Sequence, residues 1–135
     1  MAEGKVEFEL VSPEKLLLSE RVDMVVVPGE EGNFGVLAQH APLISAVRPG
    51  VIDVHNGGKV TEQIFVAGGF AEVTPARCTV LAEQAVPIAE IDRSAAEQQL
   101  KDAQEDVADA KDDAERLAAE KQVTVAEAMI QAAGG

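Results

Sequence analysis

The residue types that most often carry catalysis are sparse in this chain. It has two histidines, His40 and His55, and a single cysteine, Cys78. Zinc sites of the usual kind combine several His and Cys ligands, so one is hard to assemble from this set. Cys78 lies in an apolar, strand-like stretch, which favours an inert core thiol over a nucleophile. The sequence therefore predicts no catalytic residue of its own and no metal site.

A glycine-rich segment is the next candidate for chemistry, because such segments can cradle phosphates. Gly29, Gly32 and Gly35 lie close together in the chain. The segment lacks the Gly-Lys-Ser/Thr ending of a P-loop and the Gly-x-Gly-x-x-Gly of dinucleotide folds, and no parallel βαβ pattern surrounds it. We interpret these glycines as positions where a loop turns sharply and other backbone comes close.

The charge of the chain excludes several classes of partner. The formal net charge is −13 over 135 residues, so attraction to nucleic acid or directly to anionic lipid is not expected. No apolar run approaches the ~20 residues that a membrane-spanning helix needs. The N-terminus has neither an apolar signal region nor Arg-rich transit character. The acidity serves solubility, or it belongs to a surface that meets another protein.

The hydrophobic period changes near residue 90, which divides the chain into two parts. Val6, Phe8 and Leu10 alternate with charged residues, as in a half-buried strand. Further short apolar runs, typical of strands, occur at residues 24–27, 51–54, 64–67, 70–74 and 78–82. We therefore predict an α+β fold in which residues 1–87 form an antiparallel β-sandwich.

Turn signals separate these predicted strands. His55-Asn56-Gly57-Gly58 predicts a hairpin tip, because Asn-Gly tolerates the positive φ angles of tight hairpin turns. Gly68-Gly69 and Thr74-Pro75 predict two further breaks between strands. The spacing of these signals is typical of many short strands, which supports the sandwich.

Residues 88–135 predict a two-helix antiparallel hairpin. Asp92 or Ser94 is expected to cap the first helix, and Ser94 with Glu97 matches a capping box. Apolar residues then recur at steps of four and three, namely Ala96, Leu100, Ala103, Val107, Ala110, Ala114 and Leu117. Most of them are Ala, which buries little area, so the hairpin is expected to detach or extend when a partner competes. A static appendage is the alternative.

The second helix is predicted to be short. A break is expected at Gln122-Val123. Thr124-Val125-Ala126-Glu127 matches a second capping box, which predicts a helix from Thr124 to about Ala133. This predicted helix contains no Lys or Arg.

One long segment resembles a known family. Residues 28–50 are similar to the signature loop of the F-type ATP synthase epsilon subunit, called delta in mitochondria. In that family Glu-Gly-x-x-Gly leads into His-Ala-Pro-Leu and a Pro-Gly turn, matched here by Glu31, Gly32, Gly35, His40, Ala41, Pro42, Leu43, Pro49 and Gly50. Residues 66–73 resemble the family's Gly-Gly-x-x-Glu-Val stretch, residues 78–83 resemble its last strand, and Ile91-Asp92 opens the helical part.

This resemblance implies a rotor subunit without its own active site. In the family the sandwich sits on the foot of the gamma subunit and against the polar loops of the c-ring, so that ring rotation turns gamma. The residues implied to face the ring are Gly29, Glu30, Glu31, Gly32 and Asn33. The residues implied to contact gamma are His40, Ala41, Pro42 and Leu43. Considered alone, Glu30 fits a solvated turn equally well, and His40 fits a turn cap better.

The resemblance also implies further partners and a location. The catalytic alpha and beta subunits are candidate partners that the hairpin would reach. The protein is expected on the cytoplasmic face of a bacterial inner membrane, in contact with the membrane only through the complex. Binding to nucleic acid is not expected.

The role of the hairpin differs among members of the family. In several members it opens along gamma and inhibits ATP hydrolysis, and bound ATP restrains it through Ile-Asp-x-x-Arg-Ala. Ile91 and Asp92 match this motif, but its Arg position is Ala95, and Arg93 falls on a different helix face. We therefore expect no cofactor. The inhibitory form uses basic groups near the C-terminus, which the predicted second helix lacks, so inhibition is expected to be weak or absent.

Two other functions remain alternatives. The protein would act as an ATP-sensing inhibitor of hydrolysis if the hairpin bound MgATP in a direct titration. It would act as a free-standing sandwich adaptor if it bound an unrelated protein and no gamma-like protein co-purified.

Overall fold

A computed structural model of the protein describes residues 4–134. It divides into two compact units, of which one ends at Pro87 and the other begins at Ile88. The elements are β1 (Val6–Val11), β2 (Leu16–Val22), β3 (Met24–Gly29), β4 (Gly32–Val36), β5 (Leu43–Ala46), β6 (Gly50–Asn56), β7 (Lys59–Val73), β8 (Arg77–Pro87), a 3-10 turn (Ile88–Glu90), α1 (Arg93–Asp109) and α2 (Asp113–Gly134). The predicted sandwich followed by two helices is confirmed.

Strands β7 and β8 belong to both layers of the sandwich. The pairing order is β2-β1-β8-β7-β6-β3-β4, and β5 pairs with β7. The first half of β7 lies between β6 and β8, whereas residues 70–73 lie between β5 and β8. One layer therefore contains β5, β1, β2 and one half of each long strand, and the other contains β4, β3, β6 and the other halves.

The Gly68-Gly69 pair lies where β7 exchanges β6 for β5 as its neighbour. The predicted strand break there is wrong, because β7 continues through both glycines and keeps its register with β8. Their φ angles are +74° and +106°, and a Cβ on Gly69 would overlap the carbonyl oxygen of Leu81. Glycine is therefore required at this position of the strand, where it permits the change of layer.

Side chains from both layers form one apolar core. The alternation predicted for β1 is confirmed, since Val6, Phe8 and Leu10 are buried. The largest fully buried side chains elsewhere are Phe65, Ile52, Val22, Val25, Val27, Val36, Val54, Val66 and Val73. Strands β1 and β8 pair in parallel, whereas the other strand pairs are antiparallel. Parallel pairing is possible because β2 to β7 lie between these two strands in the chain, so no tight hairpin turn connects them. Close packing of this core makes the sandwich stiff.

Asp92 begins the helical unit, as one of the two predicted caps. Its Oδ1 accepts a hydrogen bond from the Ala95 backbone N–H at 3.1 Å. The N-terminal end of α1 lies beside the C-terminal end of α2, since a Cβ on Gly134 would come 2.6 Å from Nη1 of Arg93. The two helices are therefore antiparallel.

The turn between the helices lies earlier than predicted. Helix α1 ends at Asp109 and α2 begins at Asp113, so the breaks predicted at Gln122-Val123 and Thr124 are wrong. Asp112 Oδ1 accepts from Glu115 N–H at 2.8 Å, and Glu115 Oε1 accepts from Lys111 N–H at 3.1 Å. This reciprocal cap opens α2. The Thr124 hydroxyl instead donates to the Glu120 carbonyl within the helix.

Mostly alanine side chains line the contact between the two helices. The buried residues are Ala96 and Ala103 on α1 and Ala119, Ala126 and Met129 on α2. The predicted apolar seam is correct as far as α1 extends. Its last members, Ala114 and Leu117, are exposed, because the backbone has already reversed direction before them.

Candidate functional site

The residues predicted to face the ring form the tip of the β3–β4 hairpin. Gly29 pairs with Gly32, which leaves Glu30 and Glu31 as a two-residue turn. Gly32 has a φ angle of +136°, and a Cβ on Gly29 would lie 2.8 Å from the Gly32 carbonyl oxygen. Both glutamates are exposed. The glycines thus permit a tight turn that presents two carboxylates to the outside. We call residues 29–33 the acidic tip.

Arg48 holds this tip, and sequence reasoning missed it. Its guanidinium Nη1 donates to the Gly29 carbonyl and its Nη2 to Asn33 Oδ1, each at 2.6 Å. The Glu30 N–H donates to the Ala46 carbonyl at 2.9 Å. The only local signal for Arg48 is its place before Pro49-Gly50, which predicts a turn but not the partner of the side chain.

The acidic tip and strand β5 border one open groove of about 470 Å³. The tip contributes Glu30 to Asn33, and β5 contributes Leu43 to Ala46. Leu43 was predicted to contact gamma, whereas the tip was predicted to face the ring. The fold therefore brings members of the two predicted sets to one groove.

His40 is oriented by its own loop. Its Nδ1 lies 2.6 Å from the Ala41 carbonyl, and its backbone N–H donates to the Leu37 carbonyl at 3.2 Å. Gln39 has a φ angle of +68° and donates from its N–H to the Pro75 carbonyl at 2.6 Å. Ala41, Pro42 and Leu43, the other predicted gamma contacts, are exposed.

An exposed apolar row crosses the layer that contains β5, and only the strand register reveals it. Across the strands Ala46 pairs with Phe70, Phe70 with Leu81, Leu81 with Val11, and Val11 with Leu16. Cross-strand partners point to the same face of a sheet. Phe70 is 58% exposed, Leu81 46% and Leu16 55%. We call these five residues the apolar row; Ile44, two residues before Ala46 on β5, is 71% exposed and extends it.

Comparison with known proteins connects this geometry to a family. Residues 5–88 match the family model described as "ATP synthase, Delta/Epsilon chain, beta-sandwich domain", and residues 92–135 match the model of the C-terminal domain of the "ATP synthase epsilon chain". The protein belongs to the ATP synthase epsilon family. The resemblance inferred from residues 28–50 is thereby confirmed.

Relatives in the epsilon family extend over nearly the whole length. The ATP synthase epsilon chain of Paramagnetospirillum magneticum is 59% identical over 132 residues, which is 98% of each protein. That of Rhodospirillum rubrum is 54% identical over 129 residues, or 96% of each. One subunit in the cryo-EM structure of the Euglena gracilis mitochondrial ATP synthase, OSCP/F1/c-ring, superposes with a TM-score of 0.81 at 28% identity, covering 96% of this protein and 81% of that subunit.

Residues 91–93 correspond to part of the motif with which some members of the epsilon family bind ATP. In this protein their polar side chains contact other residues of helix α1. Asp92 Oδ1 already accepts from the Ala95 N–H, and Arg93 Nε lies 3.4 Å from Glu97 Oε2. Ile91 is half-buried. Both polar side chains of the Ile91-Asp92-Arg93 segment therefore support helix α1.

The single cysteine, Cys78, is a core residue of this epsilon-family fold. It is fully buried in the core, and burial raises the pKa of its thiol to about 12, so the nucleophilic thiolate is disfavoured.

Within residues 4–134 no cluster of His, Cys, Asp or Glu is arranged to hold a metal ion. None of the described helices is long and apolar enough to cross a membrane.

Proposed function

We propose that this protein is a non-catalytic central-stalk subunit of a proton-translocating F-type ATP synthase, and that it couples rotation of the c-ring to the gamma shaft. Membership of the epsilon family and similarity to a subunit of the Euglena complex support this assignment. The observation that carries it is the presence of two unlike exposed surfaces on one sandwich, an acidic tip and an apolar row, which approach each other at β5.

The apolar row is the surface that we propose for gamma. Large apolar side chains that are exposed as a continuous patch mark protein interfaces. Phe70 and Leu81 are its two largest members near the centre, and burying them against a partner would stabilise a permanent contact. The loop with His40, Ala41 and Pro42 leads directly into β5 and would lie at the border of this interface.

The acidic tip is the surface that we propose for the ring. Glu30 and Glu31 are exposed and lie at the end of a hairpin, where basic groups on the polar loops of the ring could approach them. Such complementary charges set orientation and register more than affinity. Two separate contacts, one apolar and one charged, would allow one body to fix gamma relative to the ring.

We propose a weak regulatory role for the hairpin. Helix α2 begins earlier than predicted and therefore includes Arg116 and Lys121, but it also includes Asp113, Glu115, Glu120 and Glu127. Residues 122–134 still contain no Lys or Arg. A hairpin of this charge would be repelled by an acidic segment of a catalytic subunit. We propose that it binds no ATP, since Ala95 replaces the expected Arg.

The test uses an ATP synthase from which this subunit has been removed. Either the full-length protein or a version that ends at Glu90 is added back, and ATP hydrolysis and proton pumping are recorded together. We expect both versions to restore coupling, without additional inhibition by the full-length protein.

Other outcomes would change the assignment. Strong inhibition by the full-length protein alone would make the hairpin a brake and refute the charge argument. Failure of both versions to bind would refute the rotor assignment and favour a free-standing adaptor. The complex would be found at the cytoplasmic face of a bacterial inner membrane, with this subunit peripheral to it.

A further inference from the structure

The acidic tip extends beyond the part of its layer that is held by strand pairing. Strand β6 pairs with β3 only along Met24–Val26. Residues 27–29, which lead to the tip, have β4 on one side, and β4 pairs only with β3. A hairpin end of this kind bends easily under a lateral force unless something else holds it. Here the segment from the last residue of β5 to the first residue of β6, residues 46–50, takes this place.

Four hydrogen bonds join that segment to the tip and to Pro28, the residue immediately before it. The Arg48 backbone N–H donates to the Pro28 carbonyl at 2.9 Å, in addition to the two bonds of its guanidinium to Gly29 and Asn33. The fourth is the bond from the Glu30 N–H to the Ala46 carbonyl. The neighbouring Val47 N–H donates to the Gly69 carbonyl at 3.1 Å, so the same segment is also fixed to β7.

Arginine suits this position because of its shape. The planar guanidinium presents several N–H groups in a fixed fork, so a single arginine can bind two acceptors on opposite strands of a hairpin. Its acceptors are a backbone carbonyl on β3 and an amide oxygen on β4. Arg48 makes no ion pair with a carboxylate in the described part of the protein. Its contacts therefore set the geometry of the tip, and they leave Glu30 and Glu31 available to a partner.

We propose that Arg48 is a positioning residue that fixes the acidic tip to β5 and so joins the ring-facing surface to the gamma-facing surface. This inference rests on the proposed function for the identity of both partners. Strand β5 continues into the apolar row through Ala46, which pairs with Phe70 on β7. A force on the tip would then reach the apolar row through Arg48 and β5, rather than bending the hairpin.

The first experiment measures whether Arg48 holds the tip in the isolated full-length protein. Amide hydrogen exchange is compared for the wild type, Arg48→Met, Arg48→Lys and a charge-matched control, Lys59→Met, at the exposed first residue of β7. Arg48→Met removes the two guanidinium bonds that hold the tip in place. The bond from the Glu30 N–H to the Ala46 carbonyl should then open more often, so we expect the Glu30 amide to exchange about tenfold faster. The buried Val25 amide and the control should stay at wild-type rates.

Arg48→Lys keeps the charge but not the fork, so its Glu30 exchange should fall between those of the wild type and Arg48→Met. Asn33→Ala removes one branch at an exposed position, which provides a second variant if Arg48→Met fails to fold. Unchanged Glu30 exchange in all of these variants would overturn the inference.

The second experiment separates the two surfaces. Binding of each variant to gamma and to the c-ring is measured separately. We expect Arg48→Met to keep about the wild-type affinity for gamma and to lose about tenfold for the ring, because only the tip has lost its support. If Arg48→Met bound the ring as tightly as the wild type, or lost the same affinity for gamma as for the ring, Arg48 would not join the two surfaces as proposed. If the wild type binds neither partner, the proposed function is wrong, and the exchange data alone still decide whether Arg48 fixes the tip.

Discussion

The carboxyl groups of Glu20 on β2 and Glu62 on β7 are close neighbours on the inner side of the sandwich. Both point inward, since Glu20 lies opposite the buried Phe8 and Glu62 opposite the buried Val54. Glu20 Oε1 is buried, and it has no hydrogen-bond partner among the described residues. The proximity of a second carboxyl group therefore favours the protonated form of Glu62.

This pair predicts that the free energy of unfolding depends on pH. The hydrogen bond to Glu20, then burial, then repulsion by Glu20 raise the pKa of Glu62 from 4.5 to about 7. The folded protein therefore binds more protons than the unfolded protein between these values, and its stability falls as pH rises through this window. We expect a loss of about 1 kcal/mol, allowing for screening by water at a half-exposed site.

The measurement is urea unfolding of the wild type and Glu62→Gln at a series of pH values. Glu62→Gln stays neutral, so it should lack this part of the pH dependence and exceed the wild type in stability above neutral pH. Glu72→Gln, at an exposed position of the same strand, is the control and should follow the wild type. Identical pH profiles for Glu62→Gln and the wild type would show that folding does not raise the pKa of Glu62.

Gly69→Ala is predicted to destabilise the sandwich strongly. Its Cβ would overlap the carbonyl oxygen of Leu81, and the residue would also keep a positive φ angle. We expect a loss of about 2–4 kcal/mol in the free energy of unfolding. Gly57→Ala is the matched control, because its φ angle is also positive but nothing lies within 4 Å of its Cβ. Equal losses of stability in Gly69→Ala and Gly57→Ala would show that the close approach of residue 69 to the Leu81 carbonyl contributes nothing to the effect.

Phe70→Ser is predicted to weaken binding to gamma with little effect on folding. Phe70 is 58% exposed in the apolar row, so the isolated protein should lose only about 0.5 kcal/mol of stability. The interface, in contrast, would lose a central aromatic side chain, which predicts at least tenfold weaker binding to gamma, or about 1.4 kcal/mol. Leu117→Ser, at a similarly exposed apolar residue of the hairpin, should leave binding unchanged. The affinity for gamma is measured by titration with both variants. Equal affinities of Phe70→Ser and Leu117→Ser for gamma would exclude the apolar row as the contact.

Asp112→Ala is predicted to destabilise α2, whereas Thr124→Ala is not. Asp112 accepts from the Glu115 N–H at the start of the helix, and the loss of such a cap costs about 0.5–2 kcal/mol. Thr124 lies inside the helix, where Ala is the better helix former. Thermal unfolding followed by the helical circular dichroism signal compares the two. A larger loss for Thr124→Ala would instead favour the helix start predicted from the sequence.

The sequence by itself determined the features that depend on a few neighbouring residues. The alternation of Val6, Phe8 and Leu10, the Asp92 cap and a hairpin tip within residues 55–58 each follow from local sterics or local hydrogen bonding, although the turn residues are Gly57 and Gly58 rather than Asn56 and Gly57. The segment from Pro28 to Gly50, together with the matches at residues 66–73, 78–83 and 91–92, indicated the family. In the helical part, the sequence analysis placed the start of the second helix at Thr124, whereas the cap that opens it is Asp112.

Only the tertiary structure decided which distant residues meet. The apolar row depends on the register of Phe70 with Leu81 and of Leu81 with Val11, and no local pattern encodes that register. The bonds of Arg48 to the tip and the meeting of Glu20 with Glu62 also join residues on different strands. Gly68-Gly69 looks like a strand break in the sequence, but the pairing with β8 carries β7 through it. The physical reason is that these features arise from contacts between elements, whose geometry is set when the two layers pack around their shared core.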